Sequence, residues 1–291
     1  MWISRAFSTS ALLLAASISE ASFWISEFTG QPADYRLERG DTTMRPAQLM
    51  LLQAGDVIFV DDEEGRIVLL NERNERIALT RIQSPFRVPE SREPPGLLAN
   101  IGNWVVGWWN TRASQSSVTV SAVSRGELDP TLLVAAPVGS RLLAGTRAIR
   151  VTWQGGSPPF SVQIKSVAGE LLAESQNVPD YAVTLPGCLL PEGTELELLI
   201  RGAVGESTTR ISVVSDAELP LSAQSVIDLD VPDEIRFGHM ALLLSGYANW
   251  RFEAQQLAHT YELRELEQRL LDGGWPDAPP REFDPPPAND D

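Results

Sequence analysis

The side chains able to do chemistry are few and far apart in this chain. His239 and His259 are its only histidines, and Cys188 is its only cysteine. A lone cysteine excludes an intrachain disulfide, and two histidines without an HExxH-type spacing leave little for a zinc site. Joined by Glu253 or Glu262 they would make an improvised metal pair; the plainer expectation is two unrelated positions on separate helices. Cys188 stands in a Pro-Gly-Cys run with no histidine or CxxC companion, which reads as a packed or surface thiol in a turn. The acidic run Asp61 to Glu64 offers oxygens to a hard cation but lacks the alternating spacing that aims several carboxylates at one point. A solvated hairpin tip is the expectation there. No GxSxG elbow, Walker loop or GxGxxG turn after a strand is present. The expectation is a noncatalytic protein, with no catalytic residue, no metal and no cofactor. An enzyme of unrecognised type would need polar groups converging near His239 or His259.

Aromatic side chains are the other candidates. Leu97, Leu98, Ile101, Trp104, Val105, Trp108 and Trp109 recur at three- and four-residue steps, which predicts a short amphipathic helix over 96–115. Indole offers a large apolar face with a polar tip, so Trp104, Trp108 and Trp109 are candidate binding residues. Trp250 and Tyr261, on an apolar stripe further along, complete that candidate set. Burial against a neighbouring sheet is the first expectation for the Trp104–Trp109 segment. Stacking on sugar rings is the alternative, and it requires these rings to be coplanar and exposed.

The elements that must position these residues fall into blocks. From Phe23 to Pro95, short runs such as Val57–Val60, Arg66–Leu70 and Arg76–Ile82 alternate with polar turns, which predicts an antiparallel meander. The run Leu52-Gln-Ala-Gly-Asp-Val-Ile58, the two strands after it and the closing Ser84-Pro85-Phe86-Arg87-Val88 resemble the FecR-type periplasmic domain. That resemblance covers residues 49–88 and implies a noncatalytic β module of the cell envelope, used in signalling or envelope organisation. Regulatory members of that family carry a cytoplasmic segment and a membrane span ahead of the domain. Here a signal-peptide-like segment takes that place, so direct control of a cytoplasmic sigma factor is not expected.

Residues 116–215 carry the strongest strand signal: Val118–Val123, Leu132–Val134, Leu142–Leu143, Ala148–Trp153, Phe160–Ile164, Tyr181–Leu185, Leu196–Ile200 and Arg210–Val214. Turns at Gly155–Pro159, Pro186-Gly187 and Pro191–Gly193 separate them, which predicts a β-sandwich. The stretch Ile149-Arg-Val-Thr-Trp153-Gln-Gly-Gly-Ser-Pro-Pro-Phe160 resembles the start of immunoglobulin-like domains of exported proteins, with Trp153 as the inter-sheet core residue. Residues 216–273 read as a helical hairpin: one helix capped by Asp233 and a second from about Ala248 to Leu271, ended by Gly273-Gly274. Residues 274–291 read as a disordered, acidic, proline-rich tail. The fold class expected is mainly β with a C-terminal α-helical hairpin.

Met1 to Arg5, the apolar stretch Ala6–Ile18 and small residues before a cut after Ala21 have the layout of a secretory signal peptide over residues 1–21. The expected location is periplasmic or secreted, with no integral membrane span in the mature chain. Lys165 is the only lysine, and the net charge is −16. That balance excludes a nucleic-acid partner, because phosphate binding needs a basic stripe. Residues 216–271 carry −6 of the charge and 272–291 carry −5. A protein partner, if basic, is therefore expected at the acidic C-terminal end, and envelope polysaccharide is the alternative ligand. The function expected is that of an exported adaptor or regulatory protein acting through protein–protein contacts.

Overall fold

The computed structural model describes residues 22–30, 32–89, 96–112, 131–132, 136 and 139–280. The signal-peptide segment, the strand expected at Val118–Val123 and residues 281–291 of the tail lie outside these. Among the described residues, several antiparallel sheets and a C-terminal group of helices make up the fold, with 40% strand and 26% helix. The architecture is thus mixed, with more helix than a β protein carrying a single hairpin.

The first β module contains β1 (Phe23–Thr29), β2 (Tyr35–Arg39), β3 (Thr42–Met44), β4 (Leu51–Leu52), β5 (Val57–Val60), β6 (Arg66–Asn71), β7 (Arg76–Thr80) and β8 (Phe86–Arg87). They form two four-stranded sheets, ordered β4-β1-β6-β7 and β3-β2-β5-β8. Phe23, Ile25, Leu37, Ile58, Ile67 and Leu69 fill the space between them. Because β5 and β6 belong to different sheets, the expected meander is interrupted. Asp61 to Glu64 form an exposed crossover and not a hairpin tip. The Gly-Asp motif has a mechanical role. Gly55 takes a positive φ of 84°, which glycine tolerates, and delivers Asp56 to a buried position. There Asp56 accepts from Arg39 Nη2 at 2.7 Å and from the Gln53 amide at 2.9 Å.

After α1 (Gly96–Arg112), a sandwich contains β9 (Thr131–Leu132), β10 (Ser140–Leu143), β11 (Gly145–Gln154), β12 (Phe160–Ser166), β13 (Leu171–Val178), β14 (Ala182–Leu190), β15 (Glu195–Arg201) and β16 (Glu206–Val214). Its sheets are ordered β10-β16-β15-β12-β13 and β14-β11-β9; β10 runs parallel to β16, and the other pairings are antiparallel. Trp153 is buried in the core, edge-on to Phe160 at 5.1 Å. Two turn assignments change. Gly155–Pro159 joins strands of different sheets, so it is not a hairpin turn. Pro186-Gly187 lies inside β14 at a bulge, where the register against β11 shifts, and Cys188 is therefore a buried strand residue.

The chain ends, within the described residues, in α2 (Leu221–Gln224), α3 (Asp233–Ser245), α4 (Arg251–Thr260) and α5 (Arg264–Leu271). The long second helix of the expected hairpin is broken. Glu262 adopts φ 55° and Leu263 turns fully into the core, separating α4 from α5 without a glycine or proline. Asp233 does not cap α3: Pro232 holds the cap position, and Asp233 pairs with Arg236 instead. Nor is residue 274 the start of disorder. Pro276 and Pro279 are buried, Trp275 packs on the helical core, and residues 277–279 lie so close to Gly246 that a Cβ there would sit 2.8 Å from the Asp277 carbonyl oxygen. Among the described residues no helix is long and apolar enough to cross a membrane.

Candidate functional site: the helical layer and its two docking faces

All five aromatic candidates belong to one place. Trp108 and Trp250 are buried in the helical core, and Trp104, Trp109 and Tyr261 pack against it. The segment 96–112 is less a linker than a flank of that core. Trp108 and Trp109 meet at 61° with centroids 5.1 Å apart, so that pair forms no coplanar platform. Arg269 of α5 lies over both rings, at 4.5 and 4.3 Å, and donates to the carbonyls of Trp108 and Trp109. One cation thus covers both indole faces and satisfies carbonyls near the C-terminal end of α1. Trp250 has Arg141 at 5.7 Å over its ring, and Tyr261 stacks on Phe237 at 4.6 Å and 13°.

Towards the first β module the helical layer is apolar. Trp24, Leu49, Leu51 and Leu70 enter the same cluster as Ile101 and Val105 of α1 and the inner faces of α3, α4 and α5. Leu49 is the wedge. Its backbone takes φ 66°, rare for a branched side chain, and it is wholly buried. Opposite it stands Gly238 of α3, where a Cβ would come within 2.7 Å of a Leu49 methyl carbon. The neighbouring Gln48 is buried and bonded twice, donating to the Ser26 carbonyl at 2.7 Å and accepting from the Leu266 amide at 3.1 Å. At the rim, Glu234 accepts from Ser26 and Arg76.

Towards the sandwich the layer is mostly polar. Every residue of α4 from Phe252 to Ala258 is buried, although three of them are Glu253, Gln255 and Gln256. Glu253 takes a two-pronged ion pair from Arg147 of β11, at 2.8 and 2.6 Å, plus the Leu143 amide at 3.2 Å. Gln256 behaves like a piece of β-strand. Its amide oxygen accepts from the Arg150 backbone N–H at 2.7 Å, and its Nε2 donates to the Arg150 carbonyl at 2.8 Å. It thereby satisfies β11 just before β9 begins to pair at Trp153. Gln255 donates to Thr152 Oγ1 at 3.0 Å. Apolar contact is smaller here: Phe252 enters the sandwich core, while Val214 of β16 and Leu143 of β10 join the helical one.

The titratable groups fit these roles. Burial acts to lower the Arg147 guanidinium, but the charge and hydrogen bonds of Glu253 carry it above its ordinary value. Burial pushes the Cys188 thiol up, with Arg147 opposing, which disfavours the thiolate that a nucleophile needs. Tyr261 is raised by burial and by Asp233, against Arg236 and Arg147. His239 is fully enclosed, and burial lowers it to about 4 although its Nδ1 bonds the Ile235 carbonyl at 2.8 Å. It is neutral at ordinary pH and donates from Nδ1.

The two histidines are engaged separately. His259 places Nδ1 3.1 Å from Glu267 and Nε2 3.5 Å from the Thr184 hydroxyl, which lies 3.4 Å from Arg150. The order hydroxyl, imidazole, carboxylate is that of a nucleophile relay, but Thr184 is exposed on a strand face that excludes no water. Of the acids once paired with the histidines, Glu253 serves Arg147 and Glu262 is exposed. Among the described residues no group of three or more His, Cys, Asp or Glu is placed to hold a metal ion.

Trp104, Trp108 and Trp109 lie in a helix as expected, whereas Trp250 stands in a 3-10 turn before α4 and Tyr261 in the turn after it, and sequence reasoning missed Gln48, Arg147, Gln255 and Gln256. The signal available was Glu253-Ala-Gln-Gln256 set between Phe252 and Leu257, a polar run with apolar neighbours on both sides. No protein-family model matches the chain, and no curated protein matches it.

Proposed function

We propose that this chain is a noncatalytic adaptor of the bacterial cell envelope that works through protein–protein contacts, presenting a FecR-like module and an immunoglobulin-like sandwich in one fixed arrangement. The observation that carries this reading is the helical layer itself. Its carboxylate and amide groups bond backbone and side chains of both β modules, which is the chemistry of holding and not of turnover. The likeness of residues 49–88 to the FecR-type domain and the signal-peptide layout of residues 1–21 support an envelope setting.

The acidity of residues 216–271 takes on a different meaning in three dimensions. Glu218, Glu234 and Glu253 pair with Arg141, Arg76 and Arg147 of the β modules, so much of the complementarity is internal. Asp228 and Asp230 remain exposed, before α3, as the acidic surface for a basic partner. The test is cross-linked capture from envelope extract with the full chain and with Asp228→Lys/Asp230→Lys. The expected result is a protein partner enriched by the wild-type chain and lost with the variant. Equal capture by both chains, or no enriched protein, overturns the reading.

A further inference from the structure

The helices grip the sandwich where β10 and β16 finish, through Leu143, Arg147 and Val214. The opposite end carries three connections: 155–159 after β11, 179–181 after β13 and 202–205 after β15. Loops gathered at one end of a sandwich are where such folds place ligand sites. Beside them opens a cleft of about 300 Å³, lined among others by Phe160, Ser161, Gln163, Gln176, Asn177 and Arg201.

Three features make this cleft more than a surface dent. First, β13 bulges here: Gln176 and Asn177 together face the single Ser161 of β12, and Asn177 takes φ 55°. A bulge of this kind re-aims side chains, and left-handed backbone at a non-glycine residue concentrates at ligand sites. Second, no carboxylate lines the cleft, in a chain with 39 acidic residues. The nearby Glu174 is turned to Gln163 at 2.9 Å and to Gln176. Third, the one charged lining group, Arg201, pairs with Glu206 at 2.9 Å while both side chains are 57% exposed. An exposed pair is weak enough to be displaced by an incoming carboxylate.

The geometry points to a binding site for an acidic saccharide, a sugar ring that carries a carboxylate. The Asn177 amide donates and accepts in one plane, which suits neighbouring ring hydroxyls, while Gln163 and Gln176, whose Nε2 groups donate to Glu174, offer their oxygens as acceptors, and a guanidinium fork suits a carboxylate. The volume is at the low end of small-ligand sites, roughly 300–1,000 Å³, so the site takes one unit of a glycan and leaves the rest in solvent. Tyr181, 47% exposed and in ring contact with Phe160 at 5.2 Å, supplies an apolar face beside the polar groups. This site is separate from the Trp104–Trp109 segment and does not rest on the adaptor reading, since saccharide binding and partner capture can fail independently.

The test is calorimetric titration of the full chain with trigalacturonate, and with maltotriose as the neutral counterpart. Trigalacturonate is expected to bind at least about tenfold more tightly than maltotriose, the size of one charge-assisted hydrogen bond. Arg201→Ala removes that preference, and Gln176→Ala weakens binding roughly fivefold, while Arg210→Ala, elsewhere on the same sheet, leaves it unchanged. Glu206→Gln frees Arg201 and tightens binding about threefold, a gain that a misfolded variant does not produce. Equal binding of the two trisaccharides, no binding of either, an Arg210→Ala loss equal to that of Arg201→Ala, or no gain with Glu206→Gln overturns the proposal.

Discussion

Where the first β module meets the helices, Trp24, Leu49, Leu51 and Leu70 merge with the helical core and Leu49 wedges against Gly238. Where the sandwich meets the same helices, an ion pair, an amide that mimics a strand and a further amide on Thr152 accompany a smaller apolar contact, Phe252 in the sandwich core and Val214 and Leu143 in the helical one. Apolar contact is non-directional and leaves hydrocarbon in water when it opens. Polar contact is directional, and its groups regain hydrogen bonds to water when it opens. The first module and the helices therefore behave as one folding unit. The sandwich is held in register by bonds that fix its angle and allow it to separate first.

The most severe way to break this contrast is Glu253→Ala. It leaves Arg147 paired with nothing at a largely buried site and is expected to destabilise the sandwich–helix junction by about 3–5 kcal/mol. Urea unfolding followed by hydrogen exchange should show α4 and β11 losing protection while β1 and β6 keep it. The double variant Arg147→Met/Glu253→Leu should recover most of the loss, because an apolar pair carries no stranded charge. If β1 and β6 open together with β11, the two docking faces are not separable.

Leu49→Ala tests the other face and is expected to cost about 3 kcal/mol, by the usual penalty of a cavity at a closed site. Its effect should be the same at low and high salt, and should lower protection in β1 and α3 together. His239 supplies a pH lever on that unit. Its pKa falls from 6.5 to about 4 in the folded chain, so the unfolded chain binds the proton first as pH drops. The stability it permits is fully present above pH 6.5 and is lost between 6.5 and 4, by roughly 3 kcal/mol. His239→Leu should flatten that part of the difference curve measured by urea unfolding at several pH values.

Gln256→Ala strands the Arg150 amide and carbonyl, and a loss of about 2 kcal/mol in thermal unfolding is expected, confined to the sandwich junction. Arg81→Ala is the smallest. Its pair with Glu63 is exposed on both sides, so a change under about 0.5 kcal/mol is expected, which calibrates the other values.

The strands of the sandwich were legible because alternating Val, Ile and Leu between Gly and Pro clusters follow the two-residue period directly. Phe160, Val162 and Ile164 face inward as that pattern requires. The helices were legible by the same logic, but their roles were not. A stripe of apolar residues says that a helix is covered without saying by what, and here two modules far earlier in the chain cover it. The break at Glu262 carries no local sign, because Leu263 is drawn inward by tertiary packing against propensity. Trp108 was marked as a binder by residue type alone, whereas its covering partner, Arg269, lies in a helix read as a separate element. Gln256 was invisible for a related reason: its partner is a backbone, which has no sequence signature.

The wedge at Leu49 has a consequence for the order in which the chain is made. Leu49, Leu51 and Leu70 emerge early, and the helices that cover them finish at Leu271, roughly 200 residues later. At about 5–20 residues per second that is an interval of about ten to forty seconds. Throughout it the first module has only α1 as native cover for its oily face, and full closure needs contacts between distant parts of the chain. A permuted chain that begins with α3, α4 and α5 would shorten that exposure, whereas the natural order makes the nascent protein a client for any factor that shields apolar surface.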